Sequence, residues 1–153
     1  MESKYENPGL ENGWSLRAAE KLRESGYKLT PQRLKILEIL ERDYKRHPSF
    51  KELLEAVKAE MPTVSASTLY SFLLTLEKLG LIRLFSWEGE TRVEVDTKPH
   101  INVLKVHSNE IVDVYDPELA GVIEERLRAH GIKGRLALIN VVVYESNGEG
   151  GAS

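Results

Sequence analysis

Between positions 65 and 71 the chain places Ser65, Ser67, Thr68, Tyr70 and Ser71, a run of small hydroxyls around one phenol. Hydroxyls of that size allow close approach to a phosphate or a base edge. A tyrosine ring can stack on a base or pack against a thymine methyl. The competing reading is that the serines only cap a helix and that Tyr70 is a half-buried surface aromatic. Other reactive groups are sparse. There are four histidines, His47, His100, His107 and His130, and no cysteine. Taken alone, scattered histidines read as surface or capping residues. The missing thiols exclude disulfides, cysteine nucleophiles and Cys-ligated zinc. No Gly-rich phosphate loop, His-Glu-x-x-His, nucleophile elbow or paired-carboxylate pattern occurs, so neither an enzyme nor a small-molecule substrate is expected.

The elements that must position the hydroxyl run follow from periodicity and caps. Leu16, Ala19 and Leu22 predict a helix from about Trp14 to Ser25, stopped by Gly26. Thr30-Pro31 offers an N-cap and a first helical residue, with Leu29 and Leu34 as a hydrophobic staple, for a second helix to about Asp43. Ser49 and Glu52 have capping-box spacing ahead of a third helix that turns Leu53, Leu54 and Val57 inward. Ser65 caps a fourth helix, about Ala66 to Leu79, ended by Gly80. Its inward face is Leu69, Phe72 or Leu73, Leu76 and Leu79, leaving Ser67, Tyr70, Ser71, Leu74 and Lys78 opposite. Residues 81–85 and 91–95 alternate around Trp87-Glu88-Gly89-Glu90 as a hairpin. This order describes a winged helix-turn-helix. Its second helix enters the major groove, so Ser65, Ser67, Thr68, Tyr70 and Ser71 are the candidate DNA contacts.

After a hinge at Thr97-Lys98-Pro99 come strands at about 102–106 and 110–115, a helix from Pro117 to Ala129 and a strand from Arg135 to Tyr144. Val141-Val142-Val143 is apolar on both faces, and a unit of about fifty residues buries such a strand poorly alone. A homodimer packed through it is expected. The fold class is therefore α+β, a winged helix-turn-helix DNA-binding domain (13–96) followed by a small α/β dimerisation domain (97–145). Residues 1–12 and 146–153 read as flexible tails.

The 153 residues are 41% hydrophobic and 29% charged, enough apolar material for a packed core. The longest apolar stretch, 136–144, is interrupted by Asn140 and is too short for a membrane helix. No secretory signal is visible, so a cytoplasmic protein is expected. Net charge is −3, but residues 13–92 hold 14 Lys/Arg against 11 Asp/Glu, and residues 93–153 hold 6 against 10. The basic excess lies in the half that carries the helix-turn-helix. The predicted recognition helix lacks a cation near its start, and the wing tip carries Glu88 and Glu90 with only Arg92 to offset them. Lys28, Arg33, Lys35, Arg42, Lys45 and Arg46 supply cations elsewhere.

Three blocks carry a family resemblance. Gly26-Tyr27-Lys28-Leu29-Thr30-Pro31-Gln32-Arg33, His47-Pro48-Ser49-Phe50-Lys51-Glu52-Leu53 and Val64-Ser65-Ala66-Ser67-Thr68-Leu69-Tyr70 resemble the ferric uptake regulator family, and Glu94, Pro99-His100 and 110–115 continue the match. The resemblance implies a homodimeric transcriptional regulator, a repressor type, on A/T-rich inverted repeats of double-stranded DNA. It implies minor-groove contact for Lys28 and base reading for Tyr70; Arg33, from the basic residues above, is counted with them as a candidate DNA contact. The family's usual arginine after that tyrosine is Ser71 here, which removes a contact worth about 1–3 kcal/mol and implies a different base preference.

The resemblance also implies a sensory metal site at His47, Glu94, His100, Asn102 and Asp113. Imidazole and carboxylate ligands suit Fe, Mn, Ni or Zn as divalent ions. Asn102 replaces the family's second histidine and offers only a carbonyl oxygen. Such a site would draw on both halves and bias the angle between them. The family's structural zinc is not expected, because its first Cys-x-x-Cys pair falls on Lys105-Val106-His107-Ser108. Apolar packing by Val103, Ile111 and Val141 to Val143 is expected instead. Two other readings remain open here, a metal-independent repressor and a protein-docking winged helix that acts as an antagonist without binding DNA specifically.

Overall fold

Helix α1 (Trp14–Glu24) starts after Gly13, which carries no side chain to cap it. The cap comes from a distance: Ser15 N donates to the Glu41 carboxylate at 3.1 Å. Its buried face is Ser15, Ala18, Ala19 and Leu22, while Leu16, expected inward, is 64% exposed. Gly26 ends the helix region at φ +88°, where a side chain would be strained. Helix α2 (Pro31–Asp43) is capped by Thr30, whose hydroxyl accepts from Arg33 N at 3.1 Å. Leu29 and Leu34 both pack against the core, as a staple should.

A 3-10 turn (Tyr44–Arg46) follows, and then α3 (Phe50–Glu60), capped by Ser49 through Glu52 N at 3.1 Å. The capping box is half made, since the Glu52 carboxylate meets Arg92 at 3.4 Å. Helix α4 (Ala66–Lys78) is capped by Ser65. It buries Leu69, Phe72, Leu73 and Leu76, at the i, i+3, i+4, i+7 spacing of a one-sided helix. These side chains join Leu22, Ile36, Leu37, Leu40, Leu53, Val57 and Ile82 in one cluster.

The wing is β1 (Arg83–Trp87) and β2 (Glu90–Glu94), antiparallel with Trp87 opposite Glu90. The loop is therefore two residues, not the four expected. Glu88 at φ 54° and Gly89 at φ 76° both take the left-handed conformation that a tight hairpin of this twist requires. Leu84 N donates to the Glu77 carboxylate at 2.8 Å, anchoring the wing to α4. On the other edge Val93 N donates to Pro48 O at 2.9 Å, and Ser49 forms a bridge with Arg92.

The structure, a computed structural model, describes residues 9–146, in two units, 9–97 and 98–146. Most of both expected tails lies outside the described residues. Residues 9–12, read as tail, belong to the first unit, where Leu10 packs on the core and its N–H donates to the Tyr44 hydroxyl at 3.1 Å. The second unit comprises β3 (Ile101–Lys105), β4 (Ile111–Val114), α5 (Pro117–Ala129) and β5 (Ile139–Val143). Strand order is β4-β3-β5, with β4 antiparallel and β5 parallel to β3. Residues 135–138, expected in the last strand, precede it.

Strand β5 lies at an edge, with Val141 40% and Val142 53% exposed in the single chain. Adjacent strand residues point to opposite faces, so both faces of β5 are open. The apolar packing expected in place of the zinc is joined by polar contacts. The Glu145 carboxylate accepts from His107 N at 2.6 Å, Ser108 N at 3.2 Å and Ser108 Oγ at 2.8 Å. A single carboxylate thus closes the β3–β4 turn onto the end of β5.

Desolvation opposes the charged form of Glu145, but the bonds from Ser108 and the two backbone amides outweigh it and pull the carboxyl down from 4.5 to about 2. A depressed pKa contributes stability that is complete above the ordinary value and is lost as pH falls through about 2. Hydrogen exchange should therefore show the His107 and Ser108 amides protected at neutral pH and progressively unprotected between pH 4.5 and 2. Glu145→Ala should raise their exchange at neutral pH by roughly tenfold or more; unchanged rates would remove the latch from the account.

Candidate metal centre and nucleic-acid face

In the first unit His47 ends the 3-10 turn with φ 45° and ψ 59°. A non-glycine residue there costs on the order of 1–2 kcal/mol, so the surroundings must hold it. They do so through Arg92, which donates to His47 O at 3.3 Å, and through the pairing of residue 48 with β2. The result sets His47 Nε2 3.2 Å from Glu94 Oε2 at the end of β2, both side chains 1% exposed. A buried imidazole nitrogen beside a buried carboxylate oxygen is a pair of donor types that suits a divalent transition metal.

The second unit brings together His100, Asn102 and Asp113. His100 Nδ1 lies 2.7 Å from Lys98 O, which can only accept, so this nitrogen carries the proton. Nε2 lies 3.1 Å from Asn102 Oδ1 and 3.6 Å from Asp113 Oδ1, two oxygens that accept from a proton, or share a bound cation, at that nitrogen. Asn102 Nδ2 donates to Asn140 Oδ1 at 3.1 Å, which turns the amide oxygen toward the imidazole. Pairing of Asn102 with Asp113 across β3 and β4 fixes this geometry in the sheet register. An imidazole that donates one N–H to a backbone carbonyl and points the other nitrogen among oxygens is oriented as metal ligands are. The imidazole and carboxylate donors of the two units fit a divalent transition metal. With no cysteine in the chain, a Cys-ligated zinc cannot form.

The hydroxyl run divides. Ser65 Oγ accepts from Thr68 N at 3.1 Å and lies 2.9 Å from Thr68 Oγ1, so these two hydroxyls are engaged in capping α4. Ser67, Tyr70 and Ser71 are exposed on the face opposite the core. Tyr70 meets Phe50 edge-on, with centroids 5.6 Å apart. A cleft of ≈ 320 Å³ between α2 and α4 is lined by Gln32, Arg33, Ser67, Thr68, Ser71 and Thr75, among others.

Arg33 is committed to its own unit: Nη1 donates to Lys28 O at 2.6 Å, and the guanidinium lies 5.5 Å over the Phe72 ring. It thereby secures the turn that carries Lys28, whose side chain is exposed. Of the other cations named from sequence, Lys35 and Arg42 both pair with Glu60, and Arg42 also with Asp43. The hydrogen bond from Lys35 is the main cause holding the Glu60 carboxyl below its ordinary range, against an opposing desolvation. Arg92 faces Glu52 and Glu90.

A capped helix-turn-helix with a hairpin wing, followed by a three-stranded sheet unit and provided with buried metal-type ligands, defines a metal-responsive winged-helix transcription regulator and not an enzyme. The chain belongs to the ferric uptake regulator family, whose profile matches residues 24–142. It is 52% identical over 114 residues to the ferric uptake regulation protein homolog of Archaeoglobus fulgidus, covering 74% of this chain and 88% of that one. Among solved structures it is similar to the Pseudomonas aeruginosa ferric uptake regulator with manganese. That match has a TM-score of 0.71 and 26% identity, over 85% of this chain and 98% of that one. The Helicobacter pylori ferric uptake regulator, described with three functional metal binding sites, matches with TM-score 0.72 and 23% identity, over 92% and 99%. Both confirm the winged-helix and α/β arrangement.

Reading the sequence missed Arg92, Lys98 O and Asn140 as the groups that orient His47, His100 and Asn102. Each acts from a distance along the chain or through its backbone, so no local motif marks it. The geometry predicts that nitrogen-resolved NMR of the metal-free protein will find His100 with its proton on Nδ1. Zn(II) should then shift Nε2 strongly and leave the Nδ1–H in place; loss of the Nδ1–H on metal addition would contradict the orientation.

Proposed function

We propose that the protein is a homodimer that binds A/T-rich inverted-repeat double-stranded DNA and responds to a divalent metal held by His47, Glu94, His100 and Asp113, with Asn102 contributing its carbonyl oxygen. The observation that carries the DNA reading is the exposed Ser67-Tyr70-Ser71 face of α4, opposite a fully buried apolar face, beside the exposed Lys28. In a helix-turn-helix this is the face presented to the major groove. Ser65 and Thr68 contribute by fixing the helix start, and Arg33 by fixing the Lys28 turn. The cleft beside Ser67 and Ser71 gives room for a backbone phosphate or a base edge where the family's usual arginine would extend.

The metal reading rests on the two oriented imidazoles and their carboxylates. When bound, the ion would supply a charge that pairs ligands from both halves of the chain and so favours one arrangement of the dimer on its operator. The protein's part is to present His100 Nε2 with the proton held at Nδ1, and to hold His47 in its left-handed conformation. The dimer reading rests on the open apolar surface of the second unit. Val141, Val142 and Tyr144 (77% exposed) belong to or follow the edge strand β5, and Leu119 and Val122 are exposed on α5. An exposed apolar edge of this kind is normally covered. The expected location is the cytoplasm.

One observation favours the protein-docking antagonist as a second reading. The wing tip presents Glu88 and Glu90, and Arg92 is turned to Glu52 and Glu90, leaving the wing little cationic charge for a phosphate backbone.

The test is recovery of fragmented genomic DNA by the purified protein, with added Mn(II) and in parallel with chelator. Metal-dependent enrichment of a short A/T-rich inverted repeat is expected. Equal enrichment with chelator would point to a metal-independent repressor, and none in either condition to protein docking. His100→Ala should abolish the metal response while leaving the melting curve of the metal-free protein nearly unchanged. Tyr70→Ala should lower affinity for the recovered duplex by roughly tenfold relative to shuffled DNA, the scale of one lost base contact, with the dimer intact by light scattering. Full retention of selectivity would remove Tyr70 from base reading.

A further inference from the structure

Tyr70 leaves α4 with 42% of its surface exposed, and Phe50 is the aromatic ring that meets it among the described residues. The two rings stand at 85° with centroids 5.6 Å apart, an edge-to-face pair. This geometry sets the positive edge of one ring against the negative face of the other and is attractive beyond simple burial. Phe50 is itself held from three sides. It is the first residue of α3, directly after the Ser49 cap. Ser49 is bridged to Arg92 of the wing. The Phe50 side chain is partly buried against the main core. Phe50 is therefore the fixed member of the pair and Tyr70 the member that needs fixing.

Something must also keep Tyr70 from turning aside. A cleft of ≈ 240 Å³ lies next to the pair, lined by Ser49, Phe50, Lys51, Tyr70, Glu90 and Thr91. Without the Phe50 ring the phenol has apolar space to fall into, away from the solvent side where a base would be read. A tyrosine ordered before binding loses less side-chain freedom on contact than one ordered by contact. We infer that Phe50 is a positioning residue for sequence recognition: it never touches DNA, but it sets the Tyr70 ring in its reading orientation and so determines part of the base selectivity. This rests on the reading that Tyr70 contacts bases.

The experiment uses the full-length dimer, the duplex recovered by the genomic selection and a shuffled duplex of the same composition. The measured quantity is the ratio of affinities for the two, in Phe50→Leu, Phe50→Tyr, Tyr70→Ala and the double variant Phe50→Leu/Tyr70→Ala. Phe50→Leu should lower the ratio by roughly two- to tenfold, the range of an aromatic pair. Phe50→Tyr, which keeps an aromatic edge, should restore most of it. In the Tyr70→Ala background, Phe50→Leu should have no further effect. If instead the two losses multiply while Tyr70→Ala alone is impaired, DNA reading by Tyr70 stands and the positioning role of Phe50 is overturned. If Tyr70→Ala alone leaves the ratio unchanged, or the selection recovers no duplex, both fall. Because Phe50→Leu removes part of the core contact, the free protein supplies a second measurement. Tyr70 ring protons should show a ring-current displacement in the native chain and in Phe50→Tyr that is lost in Phe50→Leu; the same shifts in all three overturn the pairing.

Discussion

The short pairing of residues 47–50 with strand β2 is the constraint on which the functional parts of the first unit depend. Val93 N reaches Pro48 O, Ser49 bridges Arg92, and the Arg92 guanidinium reaches His47 O. These contacts hold His47 in a backbone conformation it would otherwise avoid and set its imidazole on Glu94. They also place Ser49 to cap α3 and Phe50 to meet Tyr70. Four successive residues thus join a proposed ligand, a strand contact, a helix cap and a ring that meets Tyr70 edge-on. Displacing this segment would disturb the proposed ligand His47 and the surroundings of Tyr70 together, because both are built on the same backbone.

The second unit shows how a family fold is kept without its cysteines. The former zinc loop is a turn whose two amides and one hydroxyl converge on Glu145. A carboxylate accepting several hydrogen bonds closes the turn much as a cation bound by side chains would, with the polarity reversed. The cost is pH sensitivity at the acid end. What remains apolar in this unit is turned outward along β5 and α5, where a second copy of the chain is the partner that the proposed function supplies.

Several cations of the first unit are engaged within the protein. Lys35, Arg42 and Arg92 are engaged by Glu60, Asp43, Glu52 and Glu90, and Arg33 by the Lys28 carbonyl and the Phe72 ring. Exposed ion pairs of this kind add little stability, but they subtract cations from any nucleic-acid surface. Lys28 stays exposed at the start of the helix-turn-helix, so the proposed recognition would draw on the α4 face beside it as well as on general charge. That places weight on the orientation of one tyrosine.

Much of this was legible in the chain itself. The caps Thr30, Ser49 and Ser65, the stops at Gly26 and Gly80, the bounds of α5 and the buried stripe of α4 are local. Each is written in residues within a turn or two of one another, where backbone geometry leaves few alternatives. The absence of cysteine likewise settled the zinc question. The wing's two-residue loop and the exposed Leu16 differ from the reading by a residue or two of local geometry, whereas the half-made capping box was decided by a neighbour distant in sequence. Glu41 caps α1, Arg92 claims Glu52, and Glu145 joins the apolar packing that was expected. The resemblance pointed to His47, Glu94, His100, Asn102 and Asp113 as ligand positions, but not to which nitrogen of His100 is available. Nor could it indicate that Asn140 and Arg92 do the orienting. Those facts rest on contacts between residues such as 47 and 92, or 102 and 140, 45 and 38 positions apart. Sequence spacing carries helical and strand periods, so it determined the elements; only closure of the long loops, which has no local signature, decided which side chains meet.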